Sequence, residues 1–224
     1  MIKLKTVILG VTLVASLVSN VAATPEGVKK VFSTNPVALE QTAQQLRLQL
    51  ASIEAFSAQF SQEVFDNKHQ LIAQATGSVK VAQPNQFHWL TNEPDESLIV
   101  SDGRSVWVYN PFVEQVSIMS LDKTVRQSPL WLIANQTDEA WSQFQVSNEQ
   151  GVYTIKPKDP QSLTKQIEMT FTGDALSRLS LLDSQGQSSV FVFSEFNSAP
   201  SFSRDIFTFV APAGVDIDDQ RTMQ

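Results

Sequence analysis

In Phe56-Ser57-Ala58-Gln59-Phe60-Ser61-Gln62, apolar Phe56, Ala58 and Phe60 alternate with polar Ser57, Gln59 and Ser61. That period of two matches a strand with one face buried and one in water, because successive side chains of an extended chain point to opposite faces. Immediately before it the period is different. Leu39, Ala43, Leu46, Leu50 and Ile53 recur at steps of four and three, with Gln41, Gln44, Gln45, Arg47 and Gln49 between them, which predicts one amphipathic helix. Asn35-Pro36 supplies a capping residue and a proline suited to the first helical position.

Beyond Phe60 the period of two persists. A second alternating run covers 71–82, and further strand-like segments are 87–91, 97–101, 105–110 and 115–119. Pro84-Asn85, Glu93-Pro94-Asp95, Asp102-Gly103 and Asn110-Pro111 punctuate them, as turns between antiparallel strands do. After one interruption, strands are expected near 143–147, 152–156, 164–171, 175–182 and 188–196, with a last short one around Phe207-Thr208-Phe209. The prediction is a mainly β chain with α: about eleven strands in one continuous sheet. So many twisted strands curl. If the sheet stays unclosed, its inner side is a trough, and the helical segments are the natural cover.

The interruption reads as a second helix. Ser128-Pro129 opens it, and Leu130, Trp131, Leu132, Ile133 and Ala134 follow without a polar face, so it must be covered on all sides, as core plug or as lid.

The first residues read as a leader. Met1-Ile-Lys-Leu-Lys is basic, the stretch from Thr6 to Val18 is apolar, and Asn20-Val21-Ala22-Ala23 ends in small residues suited to cleavage. The apolar run is shorter than the ~20 residues a membrane-spanning helix needs. The expected layout is a signal peptide over 1–23, a polar lead-in over 24–35 and one domain over 36–224. Loss of Lys3 and Lys5 leaves 14 basic residues against 23 acidic ones, a net charge of −9 where the whole chain has −7. An acidic, exported chain is a poor match to nucleic acid, whose binding depends on clustered Lys and Arg.

Cysteine is absent, which removes disulfides, thiolate metal sites, cysteine nucleophiles and an acylated N-terminal cysteine. His69 and His88 are the only histidines, and neither has metal-ligand spacing or a Gly-x-Ser-x-Gly partner. Asp95-Glu96 and Asp218-Asp219 lie in turn-like or tail-like contexts and read as solvated. Nothing in these residues argues for catalysis, a metal or a cofactor. The aromatics are lopsided, with 14 Phe against 4 Trp and 2 Tyr, so apolar area comes with few hydroxyls.

Several segments together resemble the LolA family of periplasmic lipoprotein carriers: Phe56 to Gln62, Gly77 to Val81, Pro84-Asn85-Gln-Phe87-His-Trp89, Pro94-Asp95-Glu96, Val100-Ser-Asp102-Gly103, Trp107-Val-Tyr109-Asn110-Pro111-Phe-Val-Glu114-Gln115 and Pro212 to Arg221. The resemblance implies an open (incomplete) antiparallel β-barrel covered by a helical lid. It implies an apolar cavity that takes the acyl chains of lipoproteins, received from a LolCDE-type inner-membrane ABC transporter and passed by a monomeric carrier to a LolB-type outer-membrane receptor. By the same resemblance, Leu46, Leu50, Ile53 and Phe56 face the cavity, Phe87 and Trp89 stand at its mouth, and Leu130, Trp131, Leu132 and Ile133 form the lid. The family's usual arginine before Pro-Asn, which favours a closed lid, is replaced by Gln83 here, so any latch at this place is uncharged. The receptor shares the fold but requires the N-terminal cysteine that this chain lacks. A lipid- or lipoprotein-binding sensor domain of the same fold is the alternative, and a lipid hydrolase would be separated by its cleavage products.

Overall fold

The computed structural model describes residues 36–121 and 138–221. The leader and lead-in expected over residues 1–35, and the apolar helix expected around Leu130 to Ile133, lie outside the described residues. Helix α1 (Pro36–Ala51) is followed by β1 (Ala55–Phe65), β2 (Leu71–Ala82), β3 (Gln86–Glu93), β4 (Ser97–Asp102), β5 (Ser105–Asn110) and β6 (Gln115–Ser120). A short helix, α2 (Asp138–Ser142), leads into β7 (Phe144–Glu149), β8 (Val152–Pro157), β9 (Thr164–Thr172), β10 (Ala175–Asp183) and β11 (Ser188–Asn197). The chain ends with a 3-10 turn (Arg204–Phe207) and β12 (Asp216–Asp219).

All twelve strands form a single sheet in the order β12-β6-β5-β4-β3-β2-β1-β11-β10-β9-β8-β7. β12 and β7 end the order without pairing to each other, so this is an open barrel. Neighbours in sequence are neighbours in space except at two places. β1 pairs with β11, which joins the two runs of hairpins, and β12 adds to β6.

The tight hairpins share a device that their sequences announce. Asp66 Oδ1 accepts from the backbone N–H of Lys68 and Gln70, Asp102 Oδ1 from Arg104 and Ser105, and Asp183 Oδ1 from Gln185 and Gln187. Asn110 does the same for Phe112 and Val113, the turn-building role its Asn-Pro context suggests.

Two expectations change. Phe207-Thr208-Phe209 is not a strand. Thr208 donates from its backbone N–H and its hydroxyl to the carbonyl of Asp205, which closes the 3-10 turn and leaves Phe207 buried. The alternation of two aromatics had mimicked the period of a strand. A strand forms instead at Asp216–Asp219, where the acidic pair Asp218-Asp219 had read as solvated tail, and it runs parallel to β6. The backbone N–H of Asp216 donates to Glu114 O and that of Gln220 to Ile118 O, both at 2.8 Å, so backbone pairing rather than apolar content makes this strand.

The main core lies between α1 and one face of the sheet, here called the inner face. Leu46 and Leu50 of α1, Ile53 just beyond it, Phe56, Ala58 and Phe60 of β1, and Val79 and Val81 of β2 belong to one buried cluster with residues of β7–β11. α1 lies against β7, and Arg47 reaches Asp138 of α2 at 2.6 Å.

Candidate functional site

Strand registry builds the inner face in rows. Phe56, Val81, Phe87 and Ser101 are successive partners across β1–β4, and the next row is Ala58, Val79, Trp89 and Ile99. On β1 the same face continues with Phe60, Gln62 and Val64. The pairing with β11 sets Phe193 beside Phe60, Phe191 beside Gln62 and Ser189 beside Val64. At the centre three aromatic rings meet. Phe60 and Trp89 have centroids 4.4 Å apart, and Phe191 meets Trp89 edge-on at 5.3 Å and Phe60 at 6.0 Å. Phe56 stacks on Phe196 at 5.1 Å. Edge-on and offset contacts of this kind add roughly 0.5–1.5 kcal/mol each beyond area burial.

Gly77 is what lets this centre close. A Cβ there would run into the carbonyl oxygen of Leu90 and stand 2.6 Å from Cζ of Phe60, so the ring takes the space of the missing side chain.

The sequence-predicted residues Leu46, Leu50, Ile53, Phe56, Phe87 and Trp89 all fall in or against this one cluster. Leu46 and Leu50 are 0% and 1% exposed. Here they fill the inner face as core. Around the buried centre is a rim of half-buried apolar side chains: Phe87, Ile99, Phe144, Tyr153, Phe171 and Phe196. Phe87 also touches a second, smaller cluster of Val106 and Leu121, and so bridges the two. The predicted lid residues Leu130, Trp131, Leu132 and Ile133 lie outside the described residues.

Gln83 lies against the end of α1. Its amide Nε2 donates to Ile53 O, just beyond α1, at 3.0 Å and to Leu50 O in the last turn of α1 at 3.4 Å, while its backbone N–H donates to Glu54 O. Sequence reasoning missed Phe60, Phe191 and Gln62 as members of the site. Phe60 and Gln62 stood in the alternating run, but which distant strand would adjoin them was not local information.

Electrostatically the inner face is quiet. On β1, β2, β10 and β11 its positions carry neutral residues, and among the described residues no group of three or more His, Asp and Glu is placed to hold a metal. Resolved shifts lie elsewhere. On the other face, burial and then the charge of Lys80, its registry partner, push His88 below the usual histidine value. At the C-terminus the Arg221 guanidinium, bonded to Asp219 at 2.9 Å and 2.5 Å, brings that carboxyl down to about 2.

The family model described as outer membrane lipoprotein carrier protein LolA matches residues 51–210, the span from the end of α1 through the aromatic segment before β12. The chain belongs to the LolA family. It is 41% identical over 176 residues to the outer-membrane lipoprotein carrier protein of Shewanella sediminis, covering 79% of this chain and 85% of that one. With the outer-membrane lipoprotein carrier protein of Aeromonas salmonicida it shares 42% over 180 residues, covering 80% and 89%. A solved structure of an uncharacterized conserved protein from Thermus thermophilus superposes with a TM-score of 0.52 at 14% identity, covering 80% of this chain and 100% of that one. At that identity the likeness speaks for the fold alone. Within the LolA match lie every strand from β1 to β11 and the whole aromatic centre, so the family pattern and the inner face coincide.

Proposed function

We propose that this protein is a periplasmic carrier of outer-membrane lipoproteins, which shelters their acyl chains against the inner face of the open barrel. Membership of the LolA family supports this, as do relatives at about 40% identity that carry the name outer-membrane lipoprotein carrier protein. The observation that carries it is the wide apolar inner face, ringed by half-buried aromatics and covered by a helix instead of by closure of the sheet.

The energetics ask for such a device. Each buried methylene contributes about 0.8 kcal/mol, so a chain of roughly fifteen methylenes represents about 12 kcal/mol of transfer from water. A lipid anchor does not cross an aqueous compartment uncovered at that cost. A carrier must compete with a membrane and still release, which suits a face that its own helix can occupy when cargo is absent. Leu46 and Leu50 then do double duty: they pack the empty protein and yield to acyl chains when the cover moves. Cargo binding is opposed by the packing it displaces, and that opposition makes release possible. Gln83 acts as the catch on this cover through its bonds to the end of α1.

In this reading the carrier runs no reaction of its own. It takes lipoproteins from a LolCDE-type transporter and gives them to a LolB-type receptor, with direction set by rising affinity along the path. A leader over residues 1–23 delivers it to the periplasm.

The test is release. Purified protein added to spheroplasts should bring newly made lipoproteins into the soluble fraction with their acyl chains intact. Phe87→Glu should impair this strongly, because a charge buried against hydrocarbon costs several kcal/mol. Normal release by that variant would remove the inner face from the mechanism, and deacylated product would replace the carrier reading with a hydrolase.

A further inference from the structure

Gln62 is out of place on the inner face. It stands between Phe60 and Val64, with Ala75 of β2 and Phe191 of β11 as its cross-strand partners, and it is only 8% exposed. Among the described residues its side-chain amide has no hydrogen-bond partner. Of the described buried polar residues it is the only amide; the others are serines and a threonine. One of those, Ser189, lies on the same face, paired with Val64 and therefore diagonal to Gln62, and is 7% exposed. Neither amide atom is sealed off without a partner, as Asn85 Oδ1 and His88 Nδ1 are, so the amide stays open to a polar ligand on an otherwise apolar face.

The surroundings restrict what such a pair can receive. Phe60, Phe191, Val64, Ala75 and Leu181 are apolar, and no cationic side chain stands on the inner-face positions of β1, β2, β10 or β11. A free carboxylate would be buried without a counter-charge there. A neutral carbonyl linkage would not. Gln62 is three residues from the end of β1, roughly 10 Å at 3.3 Å per residue, beside Phe191 and with Phe60 of the aromatic centre two residues further in along the same face. Hydrocarbon in the aromatic centre and a linkage at Gln62 is thus a consistent placement along one strand.

We propose that Gln62, assisted by Ser189, binds the ester and amide linkages that join the cargo's acyl chains to its head group. The amide N–H of Gln62 and the hydroxyl of Ser189 donate to acyl carbonyls, and Gln62 Oε1 accepts from an amide N–H. This rests on the carrier reading above and adds to it a means of telling an acylated head group from a bare fatty chain.

The experiment compares two ligands on the full chain: a tripalmitoylated cysteinyl peptide, which has the linkages, and palmitate, which has the chain without them. Gln62→Met should bind the peptide about five- to tenfold more weakly, the range set by one or two neutral hydrogen bonds, and bind palmitate as before. Ser189→Ala should show a smaller loss of the same kind. Equal peptide affinity in wild type and Gln62→Met would overturn the proposal, and so would a loss of peptide and palmitate binding by the same factor, which would mark a packing effect. If the wild type itself bound no lipopeptide, the carrier reading would fall first and this proposal with it.

Discussion

The two wings of the sheet are built on different terms. From β1 through β11 to β7 the outer face is largely polar, as in Ser57, Gln59, Ser61 and Glu63 of β1 and Gln166, Glu168 and Thr170 of β9, with exposed Val192 an exception, and the core lies on the inner face. Across β3–β6 both faces are apolar. Ile99 and Val108 point inward in one row, while Val100, Trp107 and Ile118 form the adjacent row pointing outward, followed by Leu98, Tyr109 and Val116. Val100 is 1% exposed and Val116 0%, although among the described residues no α-helix covers that side. Their cover is the C-terminal segment. Its 3-10 turn lies on β3 and β4, Phe202 and Phe207 meet edge-on at 5.3 Å, and Phe209 packs on Tyr109 at 5.6 Å. One wing is thus a half-buried wall, packed on its inner side only. The other is a sandwich whose outer layer is locked.

The sharpest way to break this contrast is Phe207→Ala, which removes the centre of the outer layer and should cost about 3–5 kcal/mol, read from the urea midpoint. A loss below about 1 kcal/mol would mean that the segment merely rests on the sheet. Next is Gly77→Ala on β2, where the wings meet. The new methyl must displace the Leu90 carbonyl or the Phe60 ring, for about 1–3 kcal/mol, and near-ultraviolet circular dichroism of the aromatic centre should change with it. Gln83→Ala removes one hydrogen bond to Leu50 O of α1 and one to Ile53 O just beyond it and should cost about 1 kcal/mol in the same assay, with faster hydrogen exchange confined to the end of α1.

His88 sharpens the contrast by pH. It is half-buried on the outer face of the locked wing, and its folded pKa lies below its unfolded value near 6.5. In that interval the unfolded chain binds more protons than the folded one, so this residue's contribution is complete above about pH 6.5 and declines as pH falls through and below that value. His88→Gln should flatten the melting temperature between about pH 7.5 and 5.5 relative to wild type; identical slopes would assign the pH dependence to other groups. The smallest effect belongs to the half-buried wall. Val192, on its outer face and 44% exposed, should tolerate Val192→Ala within about 0.5 kcal/mol.

The same contrast explains what could be read beforehand. β1 announced itself because water on one side imposes a period of two. Ser105-Val-Trp-Val-Tyr-Asn also read as a strand, yet its unbroken apolar run gave no hint that a second layer lay outside it, because the covering aromatics come about a hundred residues later. Locally, Phe207 and Phe209 look like any short strand. β12 has almost no apolar content and owes its existence to the exposed edge of β6, which no local pattern encodes. The site was legible in the same uneven way. Leu46, Leu50, Phe56 and Trp89 followed from periodicity together with family resemblance. The meeting of Gln62 with Phe191 depends on β1 pairing with β11, a closure over some 130 residues.

β12 has one more consequence. A sheet that never closes keeps a raw edge, along which identical molecules could join strand to strand. Here the outermost strand is Asp-Ile-Asp-Asp. A second copy laid along it would bring carboxylates directly opposite carboxylates, an arrangement that disfavours pairing. The acidic edge strand therefore disfavours the pairing of two copies through β12 while leaving the barrel unclosed.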